Sequence, residues 1–484
     1  MTEHGSEHLD VLIVGAGLSG IGAGARLAQE HPQRSYAVLE ARAVSGGTWD
    51  LFRYPGIRSD SDMFTMGYRF RPWRDDRALA DGPSILAYLR DTAVEYGVDR
   101  RIRYDHRVTA ADWDPAAARW TVTAETPDGT VTLTADFLWA CSGYYDYETP
   151  HRPVFGGEED YAGRLVHPQH WPDDLDVSGL EVVVVGSGAT AMTLVPSLVE
   201  AGAAHVTMLQ RSPTYVLALP SVDPVVRVLR RRLPERLSWW LSRWKAIGVA
   251  VLAYQVSRRW PGFARRVIRK GVASQLPEGY PVDTHFRPAY DPWDERLCFV
   301  PDGDLFRAIR HGDVDVVTDT VATLTEKGVR TGSGEELVAD VVVSATGFDL
   351  KLVGGMALSV AGEPLSLTGR MTYRALMFAG IPNFAYTIGY TNASWTLKAD
   401  LVADWVCRLL THLDRTGRRW AVPEPDPSVG EAPFMDFQPG YVRRSLDLLP
   451  VQGDREPWRL RQNYVHDVRT LRRTPIDDGV LRFG

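Results

Sequence analysis

The stretch Val11-Leu12-Ile13-Val14-Gly15-Ala16-Gly17-Leu18-Ser19-Gly20 decides the fold. Its four apolar residues, three of them β-branched, read as a short parallel strand buried on both faces, and Ile21 to Gln29 reads as a helix. Each glycine between them has a physical task. Gly15 permits the tight turn, Gly17 lets backbone approach a pyrophosphate, and Gly20 lets helix and strand pack closely. The helix N-terminus offers free N–H groups and the positive end of its dipole to phosphate. A second strand, Tyr36 to Leu39, ends at Glu40, twenty residues beyond Gly20. A carboxylate there can accept both hydroxyls of an adenosine ribose.

The pattern recurs. Glu181 to Val185 is a second strand, followed by Gly186-Ser187-Gly188-Ala189-Thr190-Ala191 and a helical stretch to Glu200. Its partner strand, His205 to Gln210, runs into Arg211-Ser212 with no carboxylate. A carboxylate would repel a 2′-phosphate, whereas arginine and a hydroxyl bind one. The first unit therefore reads as an ADP-ribose site without a 2′-phosphate and the second as an NADP site; two such units in one chain imply a flavoprotein, with FAD in the first and NADPH in the second. Asp136 to Gly143 matches Asp340 to Gly347 in pattern, each a strand that ends in small residues and glycine. The fold class expected is α/β, with two dinucleotide-binding (Rossmann-like) domains. The FAD domain is discontinuous, in parts 1–145 and 336–484, and the NADP domain spans 179–335.

Composition limits the function. The chain has 484 residues, 44% hydrophobic and 24% charged, as a soluble globular protein of several domains has. A net charge of −7 argues against a nucleic-acid partner. Cys141, Cys298 and Cys407 lie far apart, which excludes a CxxC redox pair and a cysteine-rich metal site and fits a reducing cytoplasm. The N-terminus shows no secretory signal, and no apolar run is long enough to span a bilayer. FAD reduced by NADPH can pass electrons to dioxygen or to a protein acceptor.

Residues 146–178 read as a linker, and within it Tyr161-Ala162-Gly163-Arg164-Leu165-Val166-His167-Pro168-Gln169-His170-Trp171-Pro172 resembles the FxGxxxHxxxWP fingerprint of type I Baeyer–Villiger monooxygenases, with tyrosine in the leading position. Gly46 to Trp49, Tyr54 to Asp60, Pro292 to Cys298 and Tyr390 to Trp395 are similar to that family too, so the resemblance covers essentially the whole chain. Within the family it is greatest to the actinobacterial ethionamide-activating monooxygenase group. It implies FAD and NADPH as cofactors, and dioxygen with a small ketone or sulfide as substrates. A C4a-peroxyflavin then converts ketones to esters or lactones, with sulfur oxidation of thioethers or thioamides as a second activity.

By the same resemblance Arg296 is the catalytic arginine and Asp60 the carboxylate that positions it; a turn-capping role for Asp60 is the alternative. Thr48, Trp49 and Val108 join the FAD contacts, and Gly163, His167 and Trp171 carry the fingerprint. No metal is implied. One departure is Glu295, where many relatives have a lysine that helps bind the NADP phosphate. That leaves phosphate recognition more to Arg211 and Ser212. An N- or S-oxygenating flavin monooxygenase and an NADPH-dependent reductase with a protein acceptor are the alternative functions.

Residues 227–270 contain thirteen Arg or Lys and one acid, Glu235, together with Trp239, Trp240, Trp244 and Trp260. The favoured reading is a basic helical insertion, about 225–275, with its apolar side buried. The other is peripheral contact with the inner face of a membrane. Residues from about 430 to the end read as a wrap over the structure.

Overall fold

The computed structural model describes residues 7–295, 297–435 and 440–484. The first sheet has a parallel half made of Ile102–Arg103, Tyr36–Leu39, Glu7–Val14 and the end of Gly129–Ala140, with Phe384–Tyr386 beside the last. Val11 to Ile13 are wholly buried, as strands covered on both faces must be. An antiparallel meander, Arg107–Asp114, Arg119–Thr126 and Gly129–Ala140, extends the sheet and carries Ala357–Val360 on its edge. Strands from both ends of the chain thus share one sheet, so this domain is discontinuous.

The second sheet is all parallel, in the order Val314–Thr318, His205–Gln210, Glu181–Val185, Val341–Ser344, Arg164–Val166. Two boundaries read from the sequence move here. Residues 164–166, expected in a linker, form its edge strand, and 341–344, expected in the FAD domain, pair with Glu181–Val185. The resemblance between Asp136–Gly143 and Asp340–Gly347 has the same origin. Each strand lies beside the first strand of its own unit. Cys141 N donates to Val14 O at 2.8 Å, and Ala345 N donates to Val185 O at 2.9 Å.

Helix α1 (Leu18–Glu30) follows the first glycine turn, and α2 (Ala189–Glu200) follows the second. Between the strands Tyr215–Leu219 and Leu297–Pro301 the second domain inserts α3 (Pro224–Arg232), α4 (Glu235–Arg259) and α5 (Pro261–Ala273). Val226, Trp239 and Ile247 of this insertion belong to the apolar core of the first domain. Arg243 on α4 is 5% exposed and pairs at 2.9 Å with Asp400, itself 4% exposed, on α6 (Trp395–Thr416). It also donates to the carbonyls of Phe64 and Gly67. The insertion therefore belongs to one domain by chain and to both by packing.

The C-terminal segment closes over α6. Residues 421–423 pair with 481–483, and helix Tyr464–Arg473 lies against α6. Asp467 on that helix takes a 2.9 Å ion pair from buried Lys398 and a 2.7 Å hydrogen bond from Tyr390. The expected wrap thus reaches the wall of the cavity at the first glycine turn, which Tyr390 lines.

Candidate cofactor and active site

A cavity of about 350 Å³ lies at the ends of the first parallel strands, lined by Gly15, Gly17, Glu40, Thr48, Trp49 and Val108 among others. Gly15 has φ +102°, a conformation that favours glycine, and its N–H donates to Leu39 O at 2.7 Å. A Cβ on Gly20 would lie 1.8 Å from Gly15 O, so turn and helix meet there without room for a side chain. Gly17 and Gly47 face each other closely enough that a Cβ on Gly47 would come within 3.0 Å of Gly17 Cα. Gly17 is also the N-cap of α1 and supplies no side-chain cap, which leaves the first N–H groups to a ligand.

Glu40 is held by its own backbone neighbours: Ala16 N donates to Oε2 at 2.8 Å and Arg42 N to Oε1 at 3.0 Å. Burial pushes its carboxyl above the usual range, against the lowering effect of these two N–H groups. The buried hydroxyls of Ser142 and Ser394 line the same cavity and have no hydrogen-bond partner among the described residues. Polar hydroxyls of a dinucleotide would satisfy them. Ser394 stands at the N-cap position of α6 without a side-chain cap bond, and the helix N-terminus meets the cavity through Trp395, so its dipole favours negative charge there. The residues fit FAD.

The second turn repeats this geometry. Gly186 has φ +141°, its N–H donates to Leu209 O at 2.8 Å, and a Cβ there would lie 2.3 Å from Ala345 O. A Cβ on Gly188 would meet nothing within 4 Å, so backbone is open to an approaching phosphate. Ala191 is wholly buried in the position equivalent to Gly20. Ser187 Oγ donates to Ser212 O and accepts from Thr214, each at 3.0 Å, which ties the glycine turn to the loop carrying Arg211. Arg211 and Ser212 are exposed. These residues fit NADP.

A smaller cavity of about 130 Å³, lined by Ala189, Thr190, Tyr54, Cys298 and Phe348, adjoins this turn. Thr48, Trp49, Ser59, Asp60 and Tyr145 line both cavities and so form the wall between them. Tyr54, from the first domain, is hydrogen-bonded to Thr190, and burial pushes its phenol up to about 12. Arg58 forms an ion pair with Asp304 and ties the same loop to the second domain. Around Asp60, Ser59 Oγ accepts from Ser61 N, and Asp62 caps Met63–Met66 through Thr65 N at 3.0 Å. Arg296 lies outside the described residues. The strand Leu297–Pro301 begins directly after it, and Cys298 on that strand lines the smaller cavity.

The fingerprint is built into the second domain. A Cβ on Gly163 would lie 2.4 Å from both Asp340 O and Tyr161 Oη, which explains the glycine. Tyr161 donates to Ala339 O at 2.9 Å. His167 is buried, accepts from Gln169 N at 3.1 Å and stands edge-on to Phe348. Burial pushes its pKa down to about 4, so the ring is neutral at neutral pH. Trp171 packs, partly buried, against the second core. Glu295 is 3.4 Å from Arg443 of the C-terminal segment; burial raises its pKa, while Arg443 and Arg211 oppose that rise. An arginine remote in sequence thus lies beside Glu295.

Sequence reasoning missed the aromatic wall after Gly143. Tyr144 stacks on Trp395 at 5.1 Å, and Trp395 Nε1 donates to Ser19 on α1 at 2.8 Å. The strand end at 141–143 was the available signal, but the direction of the side chains beyond it depends on packing.

The chain matches the family described as NAD(P)-binding Rossmann-like domain over residues 13–75 and that described as flavin-binding monooxygenase-like over 66–255. It is 54% identical to the FAD-containing monooxygenase EthA of Mycobacterium tuberculosis, over 99% of this chain and 98% of that one. It is 45% identical to the probable FAD-binding monooxygenase AlmA of Acinetobacter baylyi, over 99% and 96%. Among solved structures, oxidized steroid monooxygenase bound to NADP superposes with TM-score 0.72 at 25% identity, covering 87% of this chain and 88% of that one. An open cyclohexanone monooxygenase shares the fold at TM-score 0.69 and 20% identity, over 87% and 90%. With two dinucleotide cradles, a shared wall carrying Asp60 and relatives of this likeness over nearly its full length, the chain belongs to the FAD-containing monooxygenases, in the type I Baeyer–Villiger group that stands close to EthA.

Proposed function

We propose that the protein converts a ketone, dioxygen, NADPH and a proton into an ester or lactone, NADP⁺ and water. The observation that carries this reading is the wall shared by the two cradles, where Asp60 faces both cavities. Bound FAD supplies the activation of dioxygen with electrons from NADPH. The chain's own residues do the rest. Glu40 fixes the ribose of FAD, the turn at 15–20 its pyrophosphate, and Arg211 with Ser212 the 2′-phosphate of NADPH. Asp60 orients the Arg296 guanidinium, whose permanent charge stabilises negative charge developing on oxygen as it attacks the carbonyl. Tyr144 packs between Tyr145 and Trp395 along the FAD cavity.

The test is ester formation across a ketone panel, with oxygen and NADPH consumed one to one. Hydrogen peroxide as the sole product would instead support a reductase. Arg296→Ala should lower ester formation by roughly 10²–10³-fold, the usual loss on removing a preorganised charge donor, while NADPH oxidation continues. Retained ester formation would overturn the assignment. Arg211→Ala should raise KM for NADPH by roughly 10–100-fold, as for loss of a charged hydrogen bond, and leave KM for NADH unchanged. Equal effects on both donors would remove Arg211 from the phosphate site. Thioether and thioamide oxidation is the second activity proposed. The three buried free thiols suit a reducing cytoplasm, and no helix among the described residues is long and apolar enough to cross a membrane.

A further inference from the structure

The inserted helices bury one side against the first domain, yet their outer side is apolar too. Ten of the seventeen exposed large hydrophobic side chains among the described residues lie between Val225 and Val267, including Trp240, Trp244 and Trp260. On α4, Leu237, Trp240, Trp244 and Leu252 recur at steps of three, four and eight residues and so share one side of the helix. Phe263 and Val267, four apart, do the same on α5. Monomeric soluble proteins rarely gather exposed apolar side chains this way without a partner.

Charge identifies the partner. Six of the thirteen basic side chains between Arg227 and Lys270 are ion-paired. Seven, among them Arg259, Arg266 and Lys270 on α4 and α5, have no carboxylate partner among the described residues, in a chain that is acidic as a whole. Arg259 lies 5.9 Å over the ring of Trp260. We infer that the outer side of α4 and α5 docks on an anionic lipid bilayer. Tryptophan, leucine and phenylalanine enter the boundary between headgroups and acyl chains, and the arginines meet lipid phosphates. A protein partner would have to match both an apolar ridge and a surplus of positive charge along it; a bilayer surface offers both at once.

The docking side adjoins a cavity. Tyr254 on α4 and Trp293 stand edge to face at 5.6 Å and form one wall of a space of about 450 Å³. Thr391 and Asn392 form part of the opposite wall. The same loop lines the FAD cavity through Tyr390 and Ala393 to Trp395. Docking does not depend on the oxygenation reading.

The experiment is sedimentation of the FAD-loaded protein with vesicles of phosphatidylglycerol and phosphatidylcholine, and with phosphatidylcholine alone, at low and high salt. Binding is expected to the anionic vesicles and to weaken with salt. Each basic side chain near such a surface contributes roughly fivefold in partitioning. Arg259→Glu, Arg266→Glu and Lys270→Glu together should therefore reduce binding by about 100-fold or more. Trp240→Ser with Trp260→Ser should also abolish it, and both variants should keep wild-type turnover of a small water-soluble ketone. Binding that is absent, or unchanged in these variants, would overturn the proposal. So would a dimer in solution that the tryptophan variant converts to a monomer, which would assign the surface to a second copy of the chain. Vesicle binding without ester formation from any ketone would refute the oxygenation reading and leave docking intact.

Discussion

Gly20→Ala should yield a protein that no longer retains FAD. The added methyl would lie 1.8 Å from Gly15 O and 3.5 Å from Cys141 Cβ. The first of these neighbours is backbone, in a turn whose N–H is already committed to Leu39 O. Overpacking costs about 1–3 kcal/mol even where side chains can shift aside. Here relief requires α1 to move off the sheet, carrying the N–H groups at its start away from the pyrophosphate. That corresponds to a loss of FAD affinity of at least roughly ten- to hundred-fold. The flavin absorbance retained after desalting measures it directly. Full retention would mean that the close approach of helix and turn is not what holds the cofactor. The second unit supplies an internal contrast, since the equivalent Ala191 is accommodated there in full burial.

Arg243→Ala should destabilise the protein by about 3–5 kcal/mol, the usual cost of removing one partner from a buried ion pair. Asp400 would keep only the Arg69 N–H at 2.9 Å, and the carbonyls of Phe64 and Gly67 would lose their donor. Burial already raises the Asp400 pKa, and Arg243 is the strongest influence opposing it. Without the arginine the rise should be larger. A carboxyl raised in the folded state binds more protons than the unfolded chain does between the two pKa values, so stability falls as pH rises through that window. The deficit of Arg243→Ala relative to wild type should therefore grow as pH rises and shrink as the medium is acidified. The variant Arg243→Met with Asp400→Leu should recover much of the loss. Denaturant midpoints at two pH values measure both effects. A deficit that does not change with pH would show that packing, not charge, is what Arg243 contributes.

These two residues differ in how far the sequence alone reveals them. The tasks of Gly15, Gly20 and Glu40 were legible because strand, turn and helix are adjacent in the chain, and local steric and hydrogen-bonding demands restrict each position to few residue types. The same holds for Gly186, Gly188 and the change from a carboxylate to Arg211 after the second unit. The basic insertion was legible as helical from composition and spacing, but not that Arg243 reaches a carboxylate 157 positions away. That Asp62 caps Met63–Met66 also waited on the fold, since several residues of the 59–62 run suit a turn by residue type.

What the sequence by itself determined is the pair of dinucleotide-binding units, the order in which they occur and the chemical preference of each. Only the tertiary structure decided that residues 164–166 and 341–344 share a sheet and that the inserted helices clamp both domains. It also decided that Arg443 lies beside Glu295, and that the C-terminal helix holds Tyr390 against the cofactor cavity. A turn is specified by the backbone freedom of the few residues in it, whereas contacts such as these join segments whose local patterns suit many partners. Mutual burial of the whole chain selects among them.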